Sequence, residues 1–431
     1  MGKQVNPYAV RLVVLESGER LPMLCFRATG LPLFETTLYA LTELRAKNRS
    51  TSTIQQALRS VLLLCLVLDR SGVDLDRRLA EGRILDAGEV EDVARLCRLQ
   101  LENISFDGAS DNNLSARKVV PLEKVRMRSS FINAADTVDS GTVAIRLRYI
   151  RDYLNWRATD RLLKIGPKHS TYAGLRKAAE IVSGALYVRT PTSSRRNTAA
   201  QREGMSEEGL VRLIAVIDPA SPDNPWIGDH ASERNALMVR WLLNLGVRRG
   251  ELLGVRTSDI NFQANEVLIA RRADDPDDPR KRQPNTKTND RLLSVDDDLA
   301  VLTHKYITGS RRAIKGARRH EYLFVANGSG APLTLAALNK VFVVLRRKCP
   351  ELPQELTPHV LRHTWNDNFS AVMDKQGVPE EIEKKMRSRL MGWSESSNTA
   401  ATYTRRHVKR KARSASLELQ KKLRIDRSDE T

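Results

Sequence analysis

Six side chains in the second half of this 431-residue chain could together move a phosphoryl group: Arg248, Lys287, His359, Arg362, Trp393 and Tyr403. A phenol can attack phosphorus and form a covalent intermediate. Two guanidiniums keep their charge at any ordinary pH and offer paired N–H donors to oxygens on which negative charge develops. A lysine ammonium can protonate a departing oxygen, and a histidine can hold the phosphate and manage a proton. The indole N–H adds a hydrogen-bond donor that cannot carry a proton at neutral pH. This set needs neither metal nor nucleotide, and no cysteine–histidine cluster with metal-ligand spacing lies near it.

Each member sits in a local pattern. GVRRGEL places Arg248 and Glu251 three apart at a helix start, where Glu251 can brace the backbone or the arginine, and Arg249 competes for the same role. Lys287 lies in NTKTNDR, between strand-like runs at Glu266–Arg271 and Arg291–Val295, beside the turn pair Asn289-Asp290. TPHVLRH reads as a helix capped by Thr357 with Pro358 at its first position. His359 and Arg362 then share one face, His363 falls on another, and the positive helix N-terminus suits an anion. Gly392-Trp393 follows a helix expected to be apolar at Ile382, Met386 and Leu390, and Tyr403 stands ten residues later, ahead of a basic tail. The acidic stretch ADDPDDPRKRQP (273–284) reads as a solvated loop tip rather than a metal site, because prolines and like charges crowd it.

The elements that must position these groups are mainly helical. Residues 8–28 read as a β-hairpin turning at Glu16-Ser17-Gly18-Glu19, and 34–185 as helices. One helix starts at the Ser50/Thr51 caps and stops at Gly72; its aliphatic run Val61–Leu68 is too short to span a bilayer and reads as buried. A helix over 141–157 carries an apolar stripe (Val143, Leu147, Ile150, Leu154), and its arginines 146, 148, 151 and 157 are either solvated or laid against phosphates. Another helix covers 171–186. Residues 188–205 lack periodicity and form a basic linker. Beyond it the pattern is mostly helical with one small sheet.

The net charge of +19 asks for a polyanionic partner, since far less charge suffices for solubility. No long basic amphipathic helix with aromatics points to a membrane surface. Four scattered cysteines without a CxxC pair predict reduced, intracellular thiols, and no signal peptide is expected.

GVRRGEL, the lysine of NTKTNDR, HVLRH, MGW and the tyrosine of ATYTRRH occur in the order and at the separations of the tyrosine recombinase (phage integrase) family, which residues 206–415 therefore resemble. The helical region 34–185 is similar to the family's core-binding domain by position and helicity alone. The resemblance implies a mainly α fold with a small antiparallel β-sheet (α+β). It implies an N-terminal extension (1–33), a core-binding domain (34–187), a linker (188–205) and a catalytic domain with a C-terminal tail (206–431), closing as a C-shaped clamp on DNA. It assigns Tyr403 as the nucleophile giving a 3′-phosphotyrosine and a free 5′-hydroxyl, Arg248 and Arg362 as phosphate clamps, and Lys287 as general acid. His359 holds the phosphate and helps manage the Tyr403 proton. Trp393 stands where the family more often has histidine. No cofactor is implied. The implied partners are double-stranded DNA bearing recombination sites, three further copies in a tetramer, and accessory recombination proteins; a membrane is not among them. The implied setting is the cytoplasm of a bacterium, as a host or phage product. Two alternatives stay open: a catalytically silent DNA-binding protein on the same scaffold, and a type IB topoisomerase or telomere resolvase. Two departures from the pattern are the 273–284 insertion and a Trp393–Tyr403 gap about one residue longer than usual.

Overall fold

The computed structural model describes residues 6–104, 137–192, 204–284, 286, 288–394, 412 and 415–421. Lys287, Tyr403, most of the 188–205 linker and most of the C-terminal tail lie outside them. The described residues are mostly helical, with two small antiparallel sheets among them. It divides into two compact units, Met1–Thr198 and Ala199–Thr431.

In the first unit, strands β1 (Tyr8–Val14) and β2 (Arg20–Phe26) pair antiparallel, with Tyr8 opposite Phe26 and Val14 opposite Arg20. The hairpin is part of the unit's core, not a separate appendage: Tyr8 and Leu24 are buried in the same cluster as the helices. After α1 (Phe34–Tyr39), the Ser50 hydroxyl accepts from the Thr53 N–H and starts α2 (Thr51–Arg70). The run Val61–Leu68 thus belongs to a helix long and apolar enough, by length and composition, to cross a membrane. Its leucines and valines are instead buried in the unit's core, where each contributes about 1.5–3 kcal/mol. Helices α3 (Leu75–Ala80), α4 (Ala87–Leu96), α5 (Ser140–Ile165) and α6 (Tyr172–Val188) are the unit's further α-helices among the described residues.

Helix α5 runs eight residues beyond the 157 limit expected from sequence. Two of its arginines are committed inside the protein. Arg157 is buried and pairs with Asp76 and Glu35. Arg146 donates to the carbonyls of Cys97 (2.9 Å) and Leu99 (2.7 Å). Arg148 is exposed, with its guanidinium over the Tyr149 ring, and Arg151 pairs with Asp152. The apolar stripe was legible, but a guanidinium beside a stripe can turn inward when a carboxylate or carbonyl waits there.

The second unit opens with α7 (Glu207–Ile217), capped by Ser206, and the long α8 (Asp229–Leu245). The short α9 (Arg249–Gly254) leads into a three-stranded sheet of β3 (Ile260–Asn261), β4 (Glu266–Ile269) and β5 (Arg291–Ser294). Along β5 the buried positions alternate, Arg291 and Leu293 facing in. Helices α10 (Asp297–Tyr306), α11 (Leu335–Lys348), α12 (Pro358–Lys375) and α13 (Glu380–Met391) follow. Residues 415–421 are helical.

Two expectations from the sequence about where charge sits are overturned in this unit. The 273–284 segment is a folded ion-paired loop, not a solvated tip. Asp275 pairs with Arg256 and accepts from the Tyr322 hydroxyl (3.0 Å), while Asp278 pairs with Arg280, itself donating to the Leu253 and Leu333 carbonyls. Arg280 also lies over the Tyr322 ring, 4.4 Å from its centroid. Neighbouring cations relieve the repulsion that made the acidic run look exposed. In α13, Ile382 and Met386 face solvent, and Glu383 and Arg387 face inward. The two charges neutralise one another, and Ser370 on α12 bonds both of them. A fully paired ion couple has replaced the apolar stripe as the inward face.

Candidate active site

Arg248, Arg249, His359 and Arg362 line one cavity of about 460 Å3, together with Arg346, Thr357 and Pro358. Two helix starts build it. Arg248 sits at the N-cap of α9, its backbone N–H donating to Glu251 Oε2 (2.9 Å) and its Nη1 to Glu251 Oε1 (3.2 Å). The exposed Arg249 bonds Asn339 Oδ1 (3.3 Å) instead, so it is Arg248 that the carboxylate braces. Thr357 caps α12, its hydroxyl accepting from the Val360 N–H, and Pro358 fills the first turn as the sequence predicts. Unpaired N–H groups at such a start favour an anion beside His359.

Arg362 is buried to 2% exposure. Its Nη1 donates to the Gly246 carbonyl (2.5 Å), and its guanidinium lies over the Trp393 ring, 5.5 Å from the centroid. Gly246 ends α8 at φ +59, and a Cβ there would stand 2.8 Å from the Trp365 ring. Only glycine suits that close approach. His359 is exposed, and its ring meets His363 edge-on at 4.2 Å. The two histidines therefore share a face, contrary to the expectation that His363 points elsewhere; four residues make nearly one helical turn.

Glu251 is the electrostatic hub. Beyond Arg248 it accepts from Arg291 Nη2 (2.8 Å) and the Thr288 hydroxyl (2.7 Å), and Arg362 Nη1 stands 3.9 Å away. Burial alone would raise its pKa, but the Arg291 charge and hydrogen bond, with Arg362 behind them, hold it at about 2. The folded-state value lies below the unfolded one, so this group stabilises the fold above about pH 4.5. The contribution, about 3 kcal/mol, drains away as pH falls toward 2. Glu251→Gln leaves Arg291 buried without its counter-charge. It is expected to cost about 3–5 kcal/mol by chemical denaturation and to flatten this part of the acid limb. An unchanged denaturation midpoint would show that the carboxylate does not hold the cluster.

Trp393 is buried, and its backbone N–H donates to the Ser388 carbonyl (2.9 Å), closing α13. The preceding Gly392 has φ +65, and its carbonyl accepts from the Asn289 N–H (3.0 Å). A Cβ on Gly392 would lie 2.8 Å from Arg291 Nη1 and 2.9 Å from the Asn289 carbonyl oxygen. Gly392→Ala is therefore expected to cost about 2 kcal/mol or more in unfolding free energy. It should also enhance quenching of Trp393 fluorescence by iodide as the Asn289 contact opens.

Four of the six residues singled out by sequence thus form one contiguous group: Arg248, His359 and Arg362 on the cavity, with Trp393 under Arg362. Lys287 and Tyr403 lie outside the described residues. The neighbours of position 287 are described: Thr286 and Thr288 are buried, and Thr288 bonds Glu251. Arg291, Thr288 and Gly246 were not foreseen as parts of the site, and Gly392 was read only as the residue before Trp393. The inward phase of Arg291 could have been found from its register with Leu293. Among the described residues no group of three or more His, Cys, Asp and Glu side chains is placed to hold a metal ion. Burial pushes the thiols of Cys65 and Cys97 up to about 12, so neither is an activated nucleophile.

Residues 205–410 match the phage integrase family. Tyrosine recombinase XerA of Saccharolobus solfataricus is 26% identical over 146 residues, 34% of this chain and 38% of the relative. Tyrosine recombinase XerD of Halalkalibacterium halodurans is 24% identical over 143 residues, 33% of this chain and 42% of the relative. The chain thus spans about two-fifths of the length of these curated relatives. Among solved structures, XerA recombinase aligns with TM-score 0.34 at 22% identity, covering 60% of this chain and 76% of that one. The Tn1549 transposon integrase in complex with circular intermediate DNA aligns with TM-score 0.40 at 14% identity, covering 65% and 78%. Over residues 205–410 the chain is thus similar to the phage integrase family and to tyrosine recombinases.

Proposed function

We propose that the protein is a site-specific DNA recombinase that cleaves and rejoins strands through a 3′-phosphotyrosine, with no metal or nucleotide cofactor. The observation that carries the reading is the convergence of Arg248, His359 and Arg362 on one cavity at a helix N-terminus. That arrangement suits a phosphodiester whose charge grows during attack. Tyr403 attacks phosphorus, and its proton passes to His359. Arg248 and Arg362 hold the non-bridging oxygens. The P–O5′ bond breaks, and the leaving oxygen takes its proton from Lys287. Trp393 supports Arg362 from below. The covalent bond conserves the energy of the broken diester, so rejoining needs no ATP.

Tyrosine supply supports the choice of nucleophile. Residues 199–431 contain three tyrosines; Tyr306 and Tyr322 are buried, and burial pushes both up to about 12. Tyr403 is the third. The partner is double-stranded DNA, engaged by a helical DNA-binding domain (34–187) and the catalytic domain (206–431) joined by the basic 188–205 linker. Exchange between two duplexes needs four active sites and hence a tetramer in the cytoplasm, with or without accessory recombination proteins.

The test is covalent capture. Full-length protein is incubated with nicked duplexes of randomised sequence, and DNA that stays attached in denaturant is sequenced. An enriched site, joined through its 3′ phosphate and exchangeable between two duplexes, is expected. Absence of any adduct favours a silent DNA-binding protein; relaxation of supercoils without exchange favours a topoisomerase. Either result would displace the recombinase reading.

A further inference from the structure

Arg291 bonds the α9 turn that follows Arg248, the stretch just after position 287 and the end of α13 before Trp393. Its Nη2 donates to Glu251 Oε2 (2.8 Å), the carboxylate that braces Arg248. Its Nη1 donates to the Thr288 hydroxyl (3.2 Å), one residue after position 287. Its Nε donates to the Leu390 carbonyl (2.6 Å), three residues before Trp393. Nη1 also fills the space that a Cβ on Gly392 would need. The side chain is 5% exposed and stands on the inward face of β5 beside Leu293, where an aliphatic residue would pack without desolvating a charge. Thr288 completes the clamp by donating to Glu251 while accepting from Arg291, and Asn289 ties the same stretch to the Gly392 carbonyl (3.0 Å).

We infer that Arg291 is a positioning residue for protonation of the leaving group. It fixes the main chain at Thr288 and Asn289 against the Arg248 turn and the end of α13. It thereby acts on protonation of the leaving group through the residues that follow position 287. The inference rests on the recombinase reading above. In cleavage the Tyr403 Oη–P bond forms and the P–O5′ bond breaks; the phenol proton goes to His359 and O5′ receives one from Lys287. A residue that acts through the acid matters only when the leaving group needs that proton.

Replacing the bridging 5′ oxygen by sulfur separates this role from a general loss of structure. The P–S bond then breaks to give a thiolate, which leaves without a proton because thiols titrate far below alcohols. Full-length Arg291→Gln, Arg291→Lys and Thr288→Val are compared with Lys287→Ala on the captured duplex carrying either atom. On the oxygen substrate, adduct formation is expected to fall about 10²-fold in Lys287→Ala and Arg291→Gln, and about tenfold in Arg291→Lys and Thr288→Val. On the sulfur substrate all four should stand within about threefold of the wild type. An equal fall on both substrates in the Arg291 and Thr288 variants, or no fall on oxygen, overturns the inference. If Arg291→Gln fails to melt cooperatively, Thr288→Val and Arg291→Lys carry the same comparison. Rescue of Lys287→Ala alone overturns the role of Arg291 and leaves the recombinase reading intact. Failure to rescue Lys287→Ala removes the acid assignment itself.

Discussion

Tyr403→Phe is expected to abolish the covalent adduct, lowering cleavage by at least about 10⁴-fold while DNA affinity stays within about twofold of the wild type. The substitution removes one oxygen atom, the one assigned to bond phosphorus, and little else. No other phenol in the second unit can take its place, because Tyr306 and Tyr322 are buried and burial pushes both up to about 12. Affinity should persist because it rests on the chain's excess of cations, +19 overall, and not on the nucleophile. Gel shifts and denaturing gels on the captured duplex read the two quantities separately. An adduct of unchanged yield in the Phe variant would move the nucleophile to another residue and end the assignment of Tyr403.

The legible and illegible parts of the site divide along a physical line. Thr357-Pro358 and the Arg248–Glu251 spacing could be read because caps and i,i+3 pairs are local, and the structure forms both. The order of the six residues was likewise open to reading, since it lies in the chain itself. What escaped was every charge whose burial depends on groups distant in sequence. Asp278 and Arg280 look solvated until the Leu253 and Leu333 carbonyls come to meet Arg280. Arg387 looks like the polar side of an apolar helix until Glu383 and Ser370 close around it at 0% side-chain exposure. Arg291 and Glu251 are forty residues apart and meet only when β5 pairs with β4. Periodicity sorts residues by hydrophobicity. A neutral buried ion pair defeats that sorting, because each member looks polar alone and the pair is buried as one unit. The same reason explains the exposed Ile382 and Met386: α13 turned its ion pair inward, and its aliphatic side chains were left facing water.

Arg362→Ala is expected to lower cleavage about 10³-fold, equivalent to about 4 kcal/mol of transition-state stabilisation. Arg362→Lys should recover little of it. The guanidinium makes two kinds of contact from one rigid plane: Nη1 reaches the Gly246 carbonyl, and the plane lies over Trp393. A lysine ammonium is a single point that can bond Gly246 or face the cavity, not both. Because Arg362 is 2% exposed and stands 3.9 Å from Glu251, its loss should also destabilise the fold, and the kinetic reading must be separated from that loss. Two controls do so. The denaturation midpoint gives the stability change directly, and cleavage measured well below that midpoint gives the catalytic one. Arg248→Ala removes a half-exposed guanidinium from the other side of the same cavity, at 35% side-chain exposure, so its stability cost should be small while its catalytic cost stays large. If both arginines clamp one phosphate, each single variant should lose most of the activity, and the double variant should lose far less than the sum of the two free energies. Retention of more than a tenth of wild-type cleavage in a folded Arg362→Ala protein would mean that the phosphate is held elsewhere in the cavity, with Arg248, Arg249 and Arg346 as the remaining arginines along its wall.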